Sequence, residues 1–148
     1  MTKMKHPLVS TTLVTLQFSF IGVLLLILPL SLNTLVLVVQ ALAVLIGLWA
    51  IQSMHLGHFN IVPDPMPDIE LVTDGPYQFI RHPMYFSIAL FFLPLITLNL
   101  NWLNLGLYGA LLLVLLIKLT YEEHLLVEKL DDYKIYQKVT KRLIPYLF

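Results

Sequence analysis

The chain has 148 residues and a mass of 17.0 kDa; it is 58% apolar and 12% charged, with a mean hydropathy of +0.82. An ordinary soluble domain carries about 25% charged residues, so the composition argues against a water-soluble globule. Nine Lys and Arg balance nine Asp and Glu, so the totals offer no long-range attraction for nucleic acid or for an anionic membrane surface, and position matters more than the sum; cysteine is absent, which removes disulfides, thiolate nucleophiles and thiolate metal sites.

No Lys, Arg, Asp or Glu falls between Lys5 and Asp64, nor between Arg81 and Lys118. A hydrocarbon core about 30 Å thick takes roughly 20 apolar helical residues, and each gap divides into two predicted spans. The first pair covers about 8–30 and 35–54, broken by Ser31-Leu32-Asn33-Thr34. Lys3 and Lys5 precede the first span as in a signal peptide, but its apolar run is too long and no small-residue cleavage site follows, so it counts as a span. The second pair covers about 84–98 and 103–120, around Asn99, Asn101, the interface-type aromatic Trp102 and Asn104. Pro29 lies near the end of the first span and Pro94 inside the third, short one, as tolerated kinks.

The expected fold is therefore one all-α membrane domain over 1–148, with four transmembrane helices in two hairpins. Every Lys and Arg lies in the N-terminal tail, in the loop 55–83 or from Lys118 onward, so the positive-inside rule puts all three regions and both termini in the cytoplasm, at the inner membrane in a bacterium. From Tyr121 to Phe148 acids come first and bases last, an order that complements a helix dipole. Leu126, Leu130, Tyr133, Tyr136 and Leu143 recur at roughly helical spacing, which predicts an amphipathic cytoplasmic helix ended by Pro145 and resting on the membrane interface.

Two polar clusters flank the second hairpin, which brings them to one membrane face. One is Leu71-Val72-Thr73-Asp74-Gly75-Pro76-Tyr77-Gln78-Phe79-Ile80-Arg81-His82-Pro83-Met84-Tyr85; the other is Lys118 with Glu122, Glu123 and His124. An isolated Arg81-His82 pair serves equally as a lipid-phosphate anchor. Pro83 at the first helical position, however, fixes the chain before it, and Tyr77, Pro76 and Tyr85 suit a binding wall. Lys118 and Glu122, four apart, also fit a plain intrahelical ion pair worth a few tenths of a kcal/mol. Glu122 and Glu123 are adjacent and point in different directions, one inward and one to solvent. His55, His58 and His82 offer no spacing that fixes a third metal ligand, so no metal is expected. A Rossmann-type cofactor domain is excluded by pattern and length.

On these motifs, Leu71 to Tyr77, Arg81 to Tyr85, and Glu122-Glu123 with Leu126, Tyr133, Tyr136, Arg142 and Pro145, the stretch from about Asn60 to Pro145 resembles the integral-membrane methyltransferases that include isoprenylcysteine carboxyl methyltransferases and phospholipid N-methyltransferases. The resemblance implies S-adenosylmethionine as cofactor, contacted by Tyr77, His82, Pro83, Met84, Tyr85 and Glu122 and by backbone near Leu71 and Val72. It also implies a lipophilic, membrane-associated acceptor: an isoprenylcysteine-like carboxylate oriented by Arg81 or Lys118, or a lipid amine with Glu123 as base. The sequence departs from the family in three places. Leu130 is followed directly by Asp131 where Phe-Gly is usual, Thr140-Lys141 replaces Val-Pro, and Lys118 stands where the carboxyl methyltransferases have an Arg. The competing readings are a sterol- or steroid-type reductase using NADPH, whose Arg-His-Pro-Asn-Tyr-like motif has Met84 in place of its Asn here, and a non-catalytic membrane subunit that keeps the pocket.

Overall fold

The computed structural model describes residues 6–54, 60–66 and 68–148; His55 and His58 lie outside them. Five α-helices follow one another: α1 (Pro7–Ile27), α2 (Thr34–Ser53), α3 (Pro83–Leu98), α4 (Trp102–Lys129) and α5 (Tyr133–Val139), with a 3₁₀ turn at Gly75–Gln78 and no strand among the described residues. α1, α2 and α4 are long and apolar enough to cross a membrane, and α3 is apolar but has only 16 residues. The chain is an all-helical membrane protein.

Local chemistry accounts for the helix ends and for the polar residues inside the apolar runs. The Asn33 side chain caps α2 by accepting from the backbone N–H of Leu35 and Val36, and Asn101 caps α4 by accepting from Asn104 N–H at 2.8 Å. Asn104 in turn donates to Asn99 O at 2.8 Å, so the Asn-rich turn satisfies itself. Thr11, Thr12 and Thr15 face outward on α1 and donate back to backbone carbonyls at 2.7–2.8 Å, which removes unpaired hydroxyls from a lipid-facing surface. Pro94 falls inside α3 without ending it.

At the end away from the charges, Leu24 and Leu28 of the first helix region, Val36 of α2, Phe92, Leu95 and Ile96 of α3, and Tyr108, Leu111 and Leu115 of α4 form one buried cluster. Elsewhere α1 packs mainly along α4, and α2 along α3. The buried residues of α2 are Val36, Ala43 and Ala50, and at Gly47 a methyl group would lie 2.9 Å from Ser87 Oγ; small residues let two membrane helices approach closely.

At the charged end the helices are joined by other segments. Ser10 of α1 donates to Asp64, and Lys129 of α4 donates to Pro65 O and Met66 O at 2.8 Å each, which fastens the loop across both helices. The 3₁₀ turn seats on α2. Its Gly75 has φ +58°, and a Cβ there would lie 2.1 Å from Ser53 Oγ and 3.0 Å from Trp49 Nε1. Gly75→Ala therefore combines left-handed strain with a clash and is expected to lower stability by about 2–3 kcal/mol, read as a fall in the thermal unfolding midpoint in detergent. Gly106→Ala, where nothing lies within 4 Å, is the control and should leave the midpoint nearly unchanged.

Two sequence expectations change at the C-terminal end. The fourth helix does not stop near Thr120 but runs to Lys129, and the predicted amphipathic helix is split at Leu130–Asp132 from the seven-residue α5. Tyr133 and Tyr136 do not lie on an interface; they are buried with Leu126 against Ile69 and Leu71 of the loop. After α5 the chain returns to the start of α3, where Arg81 N–H donates to Lys141 O at 2.8 Å and His82 N–H to Arg142 O at 3.0 Å.

Candidate functional site

Where the helices part at the charged end, they enclose a cavity of about 340 Å³, within the size range of small-molecule sites. α1 supplies Gln17, Phe18 and Ile21; α3 supplies Met84, Tyr85 and Ile88; α4 supplies Lys118, Glu122 and Leu126. The loop adds Ile69 to Val72 and Tyr77, and the C-terminal segment adds Leu130, Tyr133 and Tyr136. The lining is thus mixed: apolar side chains from each of these segments, with phenol hydroxyls, the His82 imidazole and the carboxylates of Glu70 and Glu122 among them.

Of the residues expected from the sequence, Leu71, Val72, Tyr77, Arg81, His82, Met84, Tyr85, Lys118 and Glu122 all line this one cavity. Pro83 and Glu123 do not. Pro83 is buried at the first position of α3 and fixes the direction in which His82 and Met84 leave the chain. Glu123 sits behind the wall, 3% exposed, where its Oε1 accepts from Arg81 Nε at 2.6 Å and lies 3.2 Å from His82 Nε2. Its Oε2 is 3.1 Å from Arg142 Nε but lacks the angle of a hydrogen bond.

The pair Glu122–Glu123 therefore divides as its spacing requires, but toward two interior sites: Glu123 to the cation cluster and Glu122 to the cavity. Tyr85 Oη donates to Glu122 Oε2 at 2.8 Å. The intrahelical Lys118–Glu122 ion pair that the spacing allows is not formed: Lys118, 1% exposed, donates instead to Gln17 Oε1 of α1 at 2.6 Å, and its Nζ stands 5.3 Å from the centroid of the Tyr85 ring. His82 stacks on Tyr85, with centroids 5.4 Å apart and planes 12° from parallel. Because Glu123 only accepts, Nε2 of His82 carries the proton of that bond, and Nδ1 lies 3.9 Å from Glu122 Oε2.

Arg81 is more enclosed than a lipid anchor. Besides Glu123, its Nη1 donates to Thr140 O at 2.6 Å and Gln137 O at 3.2 Å, so the guanidinium ties the C-terminal segment to the start of α3. Tyr136 Oη donates to Tyr77 O, adding a second tie. Burial pushes the phenols of Tyr77, Tyr133 and Tyr136 above their ordinary range; nearby carboxylates add to the shift at Tyr77 (Glu122) and at Tyr133 (Glu123, then Glu122). At neutral pH all three are hydroxyl donors, not phenolates.

Asn60 and Glu70 line the cavity without having been expected at a site, and so does Gln17 of α1. Its signal was available: an amide buried inside a lipid-spanning run is costly and marks a polar partner.

The residue types present fit an adenosyl sulfonium ligand. Aromatic faces at Tyr77, His82 and Tyr85 suit a heterocycle and a cation, and Glu122 offers a carboxylate to the positive groups. No curated protein matches the chain. A family profile described as phospholipid methyltransferase matches residues 31–133, which begins before the region expected from the motifs and leaves out α1 and the last part of the C-terminal segment. With 103 of the 148 positions inside that match (133 − 31 + 1), the chain belongs to the phospholipid methyltransferase family, a family of membrane methyltransferases.

Proposed function

We propose that the protein transfers a methyl group from S-adenosylmethionine to a lipophilic acceptor held in the membrane. The reading is carried by one observation: His82 and Glu122, from segments forty residues apart in sequence, line a single cavity together with many apolar side chains. The proposed topology has four spans in two hairpins with every charged region cytoplasmic. It is supported by the charge distribution and by the common level of Arg81, His82, Glu122 and Glu123. α3 would be about 24 Å long at 1.5 Å per residue, short for a span, and its flanking Arg81 and Asn99 suit a thinned or shielded bilayer.

Bound there, the cofactor supplies a methyl group on a sulfonium. Tyr77, His82 and Tyr85 would wall the cofactor, Met84 and the backbone of Leu71 and Val72 would close the site, and Glu122 would meet its positive charge. Lys118, steadied by Gln17, orients the acceptor. Transfer from sulfonium to nucleophile needs no covalent enzyme intermediate, so catalysis rests on positioning in a water-poor site. Arg81 and Glu123 act as positioning residues, because both are engaged with each other and with the C-terminal segment. Should the acceptor be an amine, Glu122, a carboxylate that lines the cavity beside His82 and Tyr85, can receive its proton.

Calorimetry on detergent-purified protein tests the reading: S-adenosylmethionine is expected to bind and NADPH is not. Binding of NADPH alone selects a reductase, and binding of neither leaves a non-catalytic subunit. Membranes incubated with methyl-labelled cofactor should then yield a labelled lipid or lipidated product. In the same assay Lys118→Ala should lower turnover or raise the acceptor KM about tenfold or more, with cofactor affinity nearly preserved. An equal loss of both would refute the role given to Lys118.

A further inference from the structure

We propose that the segment from Tyr133 to Phe148 docks on an anionic lipid leaflet, and that this contact holds one wall of the cavity in place. The inference rests on the cofactor reading above only for one of its two readouts.

α5 has two faces. Tyr133 and Tyr136 point inward, whereas Ile135 and Val139 are 63% and 76% exposed, and further on Tyr146 and Leu147 are 85% and 79% exposed. Large apolar side chains facing outward are expected on spans, but these lie beyond the last helix long enough to cross. Their level is set by the hydrogen bonds of Arg81 N–H to Lys141 O and His82 N–H to Arg142 O, which put the segment beside the start of α3, at the edge of the apolar region.

Charge identifies the occupant. From Tyr133 to Phe148 there is no acid, and the bases are Lys134, Lys138, Lys141 and Arg142. Arg142 faces Glu123, while the three lysines are exposed. Exposed apolar residues interleaved with three exposed lysines, which outnumber the two acids Asp131 and Asp132 at the start of α5, complement an anionic leaflet, where apolar side chains enter the acyl boundary and ammonium groups meet phosphates.

The same segment reaches the cavity from its other side. Tyr136 Oη donates to Tyr77 O, and Arg81 Nη1 donates to the carbonyls of Gln137 and Thr140; Tyr77 and Arg81 both line the cavity. A leaflet that immobilises α5 therefore immobilises this wall, and a ligand that needs the wall ordered binds more tightly.

The test uses the full chain in nanodiscs of phosphatidylcholine alone or with about 30% phosphatidylglycerol. S-adenosylmethionine binding is read by calorimetry, and amide hydrogen exchange over 133–142 is read without ligand. The expected result in anionic discs is slower exchange and roughly tenfold tighter binding, shrinking to about twofold in the K134Q/K138Q/K141Q variant and at high salt. Equal exchange and equal affinity in both discs would overturn the proposal. If the cofactor binds in neither disc, the cofactor reading fails and exchange alone decides: slowing confined to anionic discs upholds the docking, and its absence ends it.

Discussion

Glu123→Gln is expected to destabilise the protein by about 3–5 kcal/mol, the cost of breaking a buried ion pair by removing one partner. The carboxylate is the shared counter-ion of Arg81, at 2.6 Å, and Arg142, at 3.1 Å, and it accepts from His82 at 3.2 Å. Glutamine retains one acceptor oxygen but removes the charge, leaving a buried guanidinium with neutral partners: that oxygen, the carbonyls of Gln137 and Thr140, and Thr140 Oγ1 at 3.5 Å. The effect should appear as a large fall in the unfolding midpoint in detergent, together with loss of cofactor binding as His82 loses the bond that orients it. A second variant separates an orphaned charge from the worth of the pair itself. Arg81→Met combined with Glu123→Leu removes both charges, and it should recover much of the stability lost by Glu123→Gln alone. If Glu123→Gln unfolds at the same temperature as the parent, the cluster does not hold the C-terminal segment and the role given to Glu123 is wrong.

That cluster also shows how far the sequence can be read. The charge gaps located the apolar helices, because the bilayer imposes a length and a composition that few other structures share. They did not locate the end of α4. An apolar-run criterion finds where lipid stops, not where the helix stops, and α4 continues for nine residues beyond Thr120, to Lys129. This extension carries Glu122 and Leu126 onto the cavity wall and Glu123 behind it.

The motif residues from Leu71 to Tyr85 were legible because turn formers and aromatics stand out against an apolar background. Which polar side chain faces which was less so. Adjacent residues on a helix point about 100° apart, so the sequence separates Glu122 from Glu123 without saying that Tyr85 receives the first and Arg81 the second. The tyrosines of α5 misled in the same way: Tyr133 and Tyr136 mark an apolar face, but periodicity alone does not distinguish a face turned to lipid from one turned to Ile69 and Leu71. Gln17 was missed because the spans were counted by hydropathy, which averages away one amide, although its bond to Lys118 joins positions 101 residues apart.

Glu122→Ala is expected to leave the protein folded and to weaken S-adenosylmethionine binding about thirty- to a hundredfold, the loss of roughly 2–3 kcal/mol from one charge-assisted interaction. Glu122 differs from Glu123 in position: its side chain is 28% exposed and its described hydrogen bond comes from Tyr85 Oη at 2.8 Å, so removing it costs the fold only about 1 kcal/mol. Glu122→Gln keeps an acceptor for that hydroxyl and removes only the charge, and it should lose nearly as much affinity as the alanine variant if charge is what the ligand meets. Tyr85→Phe removes the hydroxyl and leaves the carboxylate, so its loss should be several-fold smaller. S-adenosylhomocysteine, which retains the ammonium but lacks the sulfonium charge, then locates the contact. An equal loss for both ligands puts Glu122 at the ammonium, and a selective loss for the methyl donor puts it beside the sulfonium. Unchanged affinity for S-adenosylmethionine in both Glu122 variants, measured by calorimetry on folded protein, would remove this cavity as the cofactor site.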